Sequence, residues 1–326
     1  MTDETPKKSI QAPWLATDSP SMDQVVRILV NGVNDSYKNS GKRKKISEKE
    51  TIKLRQEFKY AEQARGSGMK AMIALSREMG LVDSDNAAYM APMKEWNRAV
   101  EKLDLEGRNL HDLGRGRLLV RTPDKIEEFY KILKSKDKDG SIKAFSTDKV
   151  KIIDGSLDDY LAEQRSSGYC GSINFDLEVD LGKGRVGTIE MQLMPRDYVE
   201  TYDMSHHLFK MIRSLQEIPP MWRSEEQSKV LSALKTANAA LFDEVAERHG
   251  FIELRKKPYE QIDQKKLSDV NEILDRIRTE IDHLPGRKLK WREGTQTALT
   301  FAKTSVLNKF LANPKNSSPT LDNDKV

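Results

Sequence analysis

Cysteine is almost absent from this chain: Cys170 is the only one among 326 residues, so no intramolecular disulfide braces the fold. Histidine is nearly as scarce, with five residues, and no Cys/His cluster has the spacing of a zinc site. No run is apolar for long enough to span a membrane, and Met1 to Pro20 lacks the apolar centre of a signal peptide. These absences predict a cytoplasmic protein with no membrane partner. A surplus of one charge is missing as well: 33% of the residues are charged, yet the net charge is only +4. A general affinity for nucleic acid therefore does not follow from charge balance.

The length allows one large domain or two small ones with a buried core. Residues 1–20 are rich in turn formers and read as a mobile leader, and 313–326 as a mobile polar tail. Between them the pattern divides into an N-terminal helical region (21–91), a mixed core (92–218) and a C-terminal helical region (219–312). Met22 to Tyr37 has helical apolar spacing behind Ser21 as an N-cap, and Ser47-Glu48-Lys49-Glu50 reads as a capping box opening a long helix to Met79. Asn39 to Lys45 is a basic loop, and Asp83 to Ala91 a break before Pro92. Glu225 to His249, Lys265 to Ile281 and Gly294 to Leu311 carry helical periodicity without a competing strand pattern.

The chemistry concentrates in the mixed core. Asp112-Leu113-Gly114-Arg115-Gly116-Arg117 places one carboxylate and two guanidinium groups before the apolar strand Leu118 to Val120. Thr122-Pro123 then starts a helix, and Lys149 to Ile153 reads as a second strand leading to a polar loop through Ser167. Ile173 to Leu181 alternates apolar and polar residues, the clearest half-buried strand in the chain. Gly182-Lys183-Gly184 turns it into a hairpin with Val186 to Leu193, where Glu190 and Gln192 share one face and Ile189, Met191 and Leu193 the other. Pro195 reads as the start of a helix to about Leu215 that holds His206-His207. If the two strands are neighbours, Asp112 and Glu190 share a divalent cation, because hard oxygen ligands hold magnesium while guanidinium forks hold phosphate oxygens. Lys94, Arg98 and Lys102 recur at intervals of four and so predict a cationic helical stripe.

Each of these residues also has an ordinary reading. An acid before a strand is commonly a turn residue, and a basic stripe is commonly a solvated face. Asp176, Glu178 and Asp180 read as the wet face of their strand, Cys170 as a small filler, and His206 as a structural hydrogen-bonding residue.

In order along the chain, the basic segment Lys94 to Lys102, the Asp112 to Arg117 run, Gly168-Tyr169, Glu190-Met191-Gln192 and His206 resemble the motifs of the RelA/SpoT nucleotidyltransferase family. The resemblance covers roughly residues 90–215 and leans towards stand-alone alarmone synthetases and related toxin branches. It implies an α+β fold, with a mixed β-sheet core flanked by helices and helical extensions at both ends. It also implies an enzyme moving pyrophosphate from ATP to the 3′-hydroxyl of a purine nucleotide, GDP or GTP or an adenine nucleotide, with Mg²⁺ as cofactor. Asp112 and Glu190 would then be the catalytic metal ligands, with Glu190 helping to deprotonate the hydroxyl. Lys94, Arg98, Lys102, Arg115 and Arg117 would hold the ATP phosphates or adenine, and Tyr169, Gln192 and His206 the acceptor.

The toxin branches imply an alternative acceptor, the tRNA 3′ end, and an antitoxin or regulatory protein as a further partner. A non-catalytic nucleotide-binding or interaction module that keeps the fold is the alternative outside enzymology. Where long-form synthetases have a histidine five residues beyond the Gly-Tyr tyrosine, this chain has Asn174. No histidine precedes His111, so the family's His-Asp hydrolase domain is not expected upstream.

Overall fold

A computed structural model describes residues 22, 24–29, 46–81, 87–100, 110–134, 150–256, 264–283 and 290–311. The leader, the basic loop at 39–45, Lys102 and the polar tail lie outside these described residues.

Helix α1 (Glu48–Glu78) begins where the capping box predicts: the Ser47 hydroxyl accepts from the Glu50 N–H at 3.2 Å, and the Glu50 carboxylate accepts from the Ser47 N–H at 2.8 Å. Its buried stripe runs through Leu54, Ala61, Ala64, Gly68, Ala71, Met72 and Leu75. These side chains are mostly small, which lets the helix lie close against the sheet.

The sheet contains β1 (Ala88–Met90), β2 (Gly114–Val120), β3 (Val150–Ile152), β4 (Asp158–Asp159), β5 (Ile173–Gly182) and β6 (Arg185–Pro195), in the order β1-β2-β6-β5-β3 with β4 also paired to β5. The β2–β6 pair is parallel and the others are antiparallel, so this is the mixed sheet of an α+β fold. β5 and β6 form the expected hairpin. Lys183 and Gly184 both take positive φ, 56° and 70°, the backbone that a tight two-residue connection demands.

Register decides what each face of the sheet is for. On one face Gly116, Met191 and Phe175 lie in a row, as do Leu118, Leu193 and Ile173. That face is buried under α1 and α2 (Pro123–Lys134), with Phe129 against Phe175 at 5.4 Å between centroids. Each fully buried side chain of this size contributes ~2 kcal/mol. Gly114 and Gly116 belong to this face and are buried beneath α1. At Gly187 the two backbones approach closely: a Cβ there would stand 2.5 Å from the Tyr60 carbonyl oxygen.

The remaining helices, α3 (Tyr198–Gln216), α4 (Glu225–Arg248), α5 (Gln264–His283) and α6 (Lys290–Leu311), build a second core around Leu208, Ile212, Leu234, Leu274 and Leu299. Val25, Val26 and Leu29, from the helical residues near the start of the chain, join this second core rather than the sheet.

The structure moves several local boundaries. Pro195 ends β6 instead of opening a helix, and α3 starts at Tyr198 after a turn. β2 reaches back to Gly114, so both arginines are inside the strand. Strand β1 occupies the predicted break before Pro92, because three residues suffice to pair with the exposed edge of β2. The described helical residues after Pro92 are 96–100, so Lys94 lies ahead of the helix and not on a helical stripe. None of the described helices is long and apolar enough to cross a membrane.

Candidate active site

Alternation along three strands puts the polar side chains on the opposite face of the sheet. In one row Arg115 of β2 stands beside Glu190 of β6, which stands beside Asp176 of β5. In the next row Arg117, Gln192 and Asn174 do the same. A period of two makes this inevitable once the register is set.

Asp112 sits at the mouth of β2, in a short 3₁₀ turn (His111–Leu113) with φ −94° and ψ 22°. Residues 91–94 run beside that mouth, the Lys94 N–H donating to the Leu113 carbonyl and the Ala91 N–H to the Arg115 carbonyl, both at 2.9 Å. Lys94 is thereby carried to Asp112, and the two side chains form an ion pair in a partly buried position. Next to it, His111 Nδ1 lies 3.0 Å from the Asp176 carboxylate.

The two arginines of β2 have different duties. Arg117 Nε donates to Gln192 Oε1 at 2.9 Å, its NH1 donates to the Tyr89 hydroxyl at 3.1 Å, and its guanidinium lies 4.2 Å over the Tyr202 ring. These contacts lock it in place. Arg115 Nε, in contrast, is buried without a hydrogen-bond partner among the described residues. A buried guanidinium N–H with nothing to donate to is costly, and an incoming anion relieves that cost.

Tyr169 is partly buried, edge-on to Tyr160 and Tyr202 at 6.0 Å each and to Phe242 at 5.1 Å. Burial pushes its phenol well above the ordinary tyrosine range. His206 stacks on Tyr202, with centroids 6.5 Å apart and planes at 14°. Enclosure by neighbouring elements, then Lys210, His207, Arg98 and Arg115, pulls its imidazole down to about 4. The ring keeps open surface, so the surrounding cations are the firmer of these causes. His206 is neutral at pH 7 and offers one donor and one acceptor. Cys170 is fully buried, pushed up to about 12 by desolvation even though Arg255 donates to its sulfur at 2.8 Å. It fills space, as its sequence context predicts.

The structure therefore gathers Arg115, Arg117, Glu190 and Gln192 on one face, with Lys94 and Asp112 at its edge. Tyr169, Tyr202 and His206 stand in contact beside them. Arg98 is near enough to act on His206, and Lys102 lies outside the described residues. Sequence reasoning gave no site role to Tyr89, Asn174, Asp176 or Tyr202. The Tyr202/His206 pair carried a signal in its spacing of four on one helix, and Asp176 in its alternation with Phe175 and Leu177. Tyr89 carried none.

Among the described residues no group of three or more His, Cys, Asp or Glu side chains is placed to hold a metal. A magnesium ion does not require one, since it usually binds through one or two carboxylates together with water and substrate phosphates. Asp112 and Glu190 fit that donor set, and Lys94 supplies the positive charge beside Asp112 here.

No protein-family model matches the sequence, and no curated protein does. Solved structures do match. Small alarmone synthetase 2 from Bacillus subtilis is 17% identical, covering 59% of this chain and 94% of that one, with a TM-score of 0.36. Small alarmone synthetase 1 from the same organism, bound to its product pppGpp, is 18% identical over 51% of this chain and 78% of that one, with a TM-score of 0.32. Bound to AMPCPP, it is 14% identical over 60% and 94%, with a TM-score of 0.33. Small alarmone synthetases are thus among the solved proteins to which this chain is similar.

Proposed function

We propose that this chain is an ATP-dependent pyrophosphokinase that acts on the 3′-hydroxyl of a purine nucleotide. The observation that carries the reading is the polar face of the sheet, where Arg115 keeps an unused buried donor beside Glu190 and Asp112 guards the strand mouth. Phosphate transfer needs positioning and charge neutralisation more than covalent help, and such a face supplies both.

In this reading Arg115, Arg98 and Lys94 grip the ATP phosphates, joined by Lys102. Arg117 keeps Tyr202 and Gln192 in place, and Tyr169 and the neutral His206 border the acceptor. Asp112 and Glu190 would hold a magnesium ion, whose chemistry there would be to offset the charge gathering on the phosphate oxygens. Glu190 takes the proton of the acceptor 3′-hydroxyl. The freed oxygen bonds to the β-phosphorus of ATP as the bond from that phosphorus to the α,β-bridging oxygen breaks, and AMP leaves with that oxygen.

The test uses γ-labelled ATP and Mg²⁺ with GDP, GTP, ADP, AMP or bulk tRNA in separate reactions, and an Asp112→Ala control. Label appearing on a purine nucleotide and falling by about 1,000-fold in the control is the expected result. Label on tRNA alone would move the acceptor to RNA. A folded wild-type protein that transfers label to none of them would overturn the reading.

A further inference from the structure

We propose that Asn174 and Ser172 are positioning residues that set the Glu190 carboxylate for reaction, an inference that rests on the pyrophosphokinase reading. The evidence is a hydrogen-bonded chain with only one consistent direction. Ser172 Oγ lies 2.5 Å from Asn174 Oδ1, and Tyr169 Oη lies 2.8 Å from Ser172 Oγ. Asn174 Nδ2 donates to Glu190 Oε1 at 3.3 Å.

Turning the Asn174 amide over would put its carbonyl oxygen against the carboxylate, so its NH₂ group must face Glu190. Its oxygen then accepts the single proton of Ser172. With that proton used, the Ser172 oxygen accepts from Tyr169. Each link fixes the next. Ser172 is fully buried and Asn174 is 7% exposed, so water does not readily replace either contact.

The position of Asn174 in the sheet explains why Glu190 needs it. Glu190 stands directly across from Asp176 in an antiparallel pair, where like charges repel. His111 takes Asp176 at 3.0 Å, and Asn174 reaches Glu190 diagonally from the neighbouring pair. On its other side Glu190 is in register with Arg115, yet Arg115 Nε has no hydrogen bond among the described residues. The amide keeps the carboxylate from turning onto that guanidinium, which would spend both the base and the phosphate-binding donor at once. The same chain joins Glu190 to Tyr169 and so connects the acceptor side of the cleft to the reacting carboxylate.

The experiment compares wild type, Asn174→Ala, Ser172→Ala and the double variant, each checked for an unchanged fold by circular dichroism. Crystal structures of wild type and Asn174→Ala provide a readout independent of turnover: the Glu190 carboxylate is expected to swing to Arg115 Nε in the variant. A Glu190 that stays in place overturns the proposal whether or not the protein is active. In turnover, Asn174→Ala is expected to lower kcat by about 10- to 100-fold and Ser172→Ala by less. KM and the calorimetric affinity for a non-hydrolysable ATP analogue stay within about threefold. The double variant should be no slower than Asn174→Ala, because Ser172 acts through Asn174. Independent, multiplying losses, or wild-type kcat in Asn174→Ala, overturn the proposal. An inactive wild type removes the pyrophosphokinase reading alone, since the crystal structures still decide what Asn174 does.

Discussion

Two regions of this molecule bring opposite charges together in partly dry surroundings, and they do so differently. Behind the Gly168–Ser172 loop, Asp243 is 6% exposed at its side chain and is held by Arg255 at 3.3 Å and Lys309 at 3.0 Å. Both cations are themselves at most 10% exposed, so the cluster is sealed. On the polar face of the sheet, Lys94 and Asp112 keep 15% and 18%, His111 and Asp176 keep 37% and 20%, and Arg115 retains an unused donor. The first arrangement tethers α6 and the segment after α4 to the same carboxylate. The second leaves the Arg115 Nε donor unused among the described residues, and it is this donor that the proposed reading assigns to an incoming phosphate.

Substitutions can break that contrast. Asp112→Ala or Glu190→Ala is expected to reduce pyrophosphate transfer by about 1,000-fold or more while leaving the urea midpoint nearly unchanged. Asp243→Ala should do the reverse. It leaves two cations buried without their shared carboxylate and is expected to cost about 3–5 kcal/mol of stability, read from urea unfolding. If Asp243→Ala is no less stable than wild type, the tether is not structural in the way its burial implies.

A further substitution probes the apolar face. Gly187→Ala pushes a methyl group into the Tyr60 carbonyl, a backbone atom that cannot rotate away, and is expected to cost about 1–3 kcal/mol in the same assay.

The smallest effect concerns pH. His206 titrates in the folded protein at about 4, below its ordinary value of about 6.5. The unfolded chain therefore binds more protons in that window, and stability falls as pH drops from about 6.5 towards 4 and is flat above. As the pH is lowered through that range, the thermal midpoint of wild type should fall further than that of His206→Gln. A constant gap between them would show that His206 does not contribute to the acid limb.

Much of the sheet was legible because its signals are local. The alternation from Ile173 to Leu181, the Gly182-Lys183-Gly184 turn and the Ser47 capping box each carry their own geometry. Strand β1 was not legible, since Ala88–Met90 is a strand only by virtue of its partner, Leu118 to Gly116. Likewise the spacing of Lys94, Arg98 and Lys102 suggested one helical stripe. Lys94 instead reaches Asp112 from an extended segment held to the backbone of β2.

At the candidate site, alternation placed Glu190 with Gln192, while Arg115 and Arg117 were grouped only as neighbours before the apolar strand. It had no means of separating the arginine tied to Tyr89, Gln192 and Tyr202 from the one left unspent. That distinction depends on the parallel register of β2 against β6, a long-range pairing with no local trace. Asn174 escaped for the same reason: its partner Glu190 is reached across the hairpin, on the diagonal.

The measurement that bears most directly on the central claim is the nucleotide balance of the reaction: adenine products quantified against the mass gained by the acceptor. The polar face acting as a pyrophosphokinase predicts one AMP released for each acceptor that gains two phosphates, with no ADP formed in step. Release of ADP with a single phosphate gained, or an acceptor that gains AMP with loss of pyrophosphate, would contradict it.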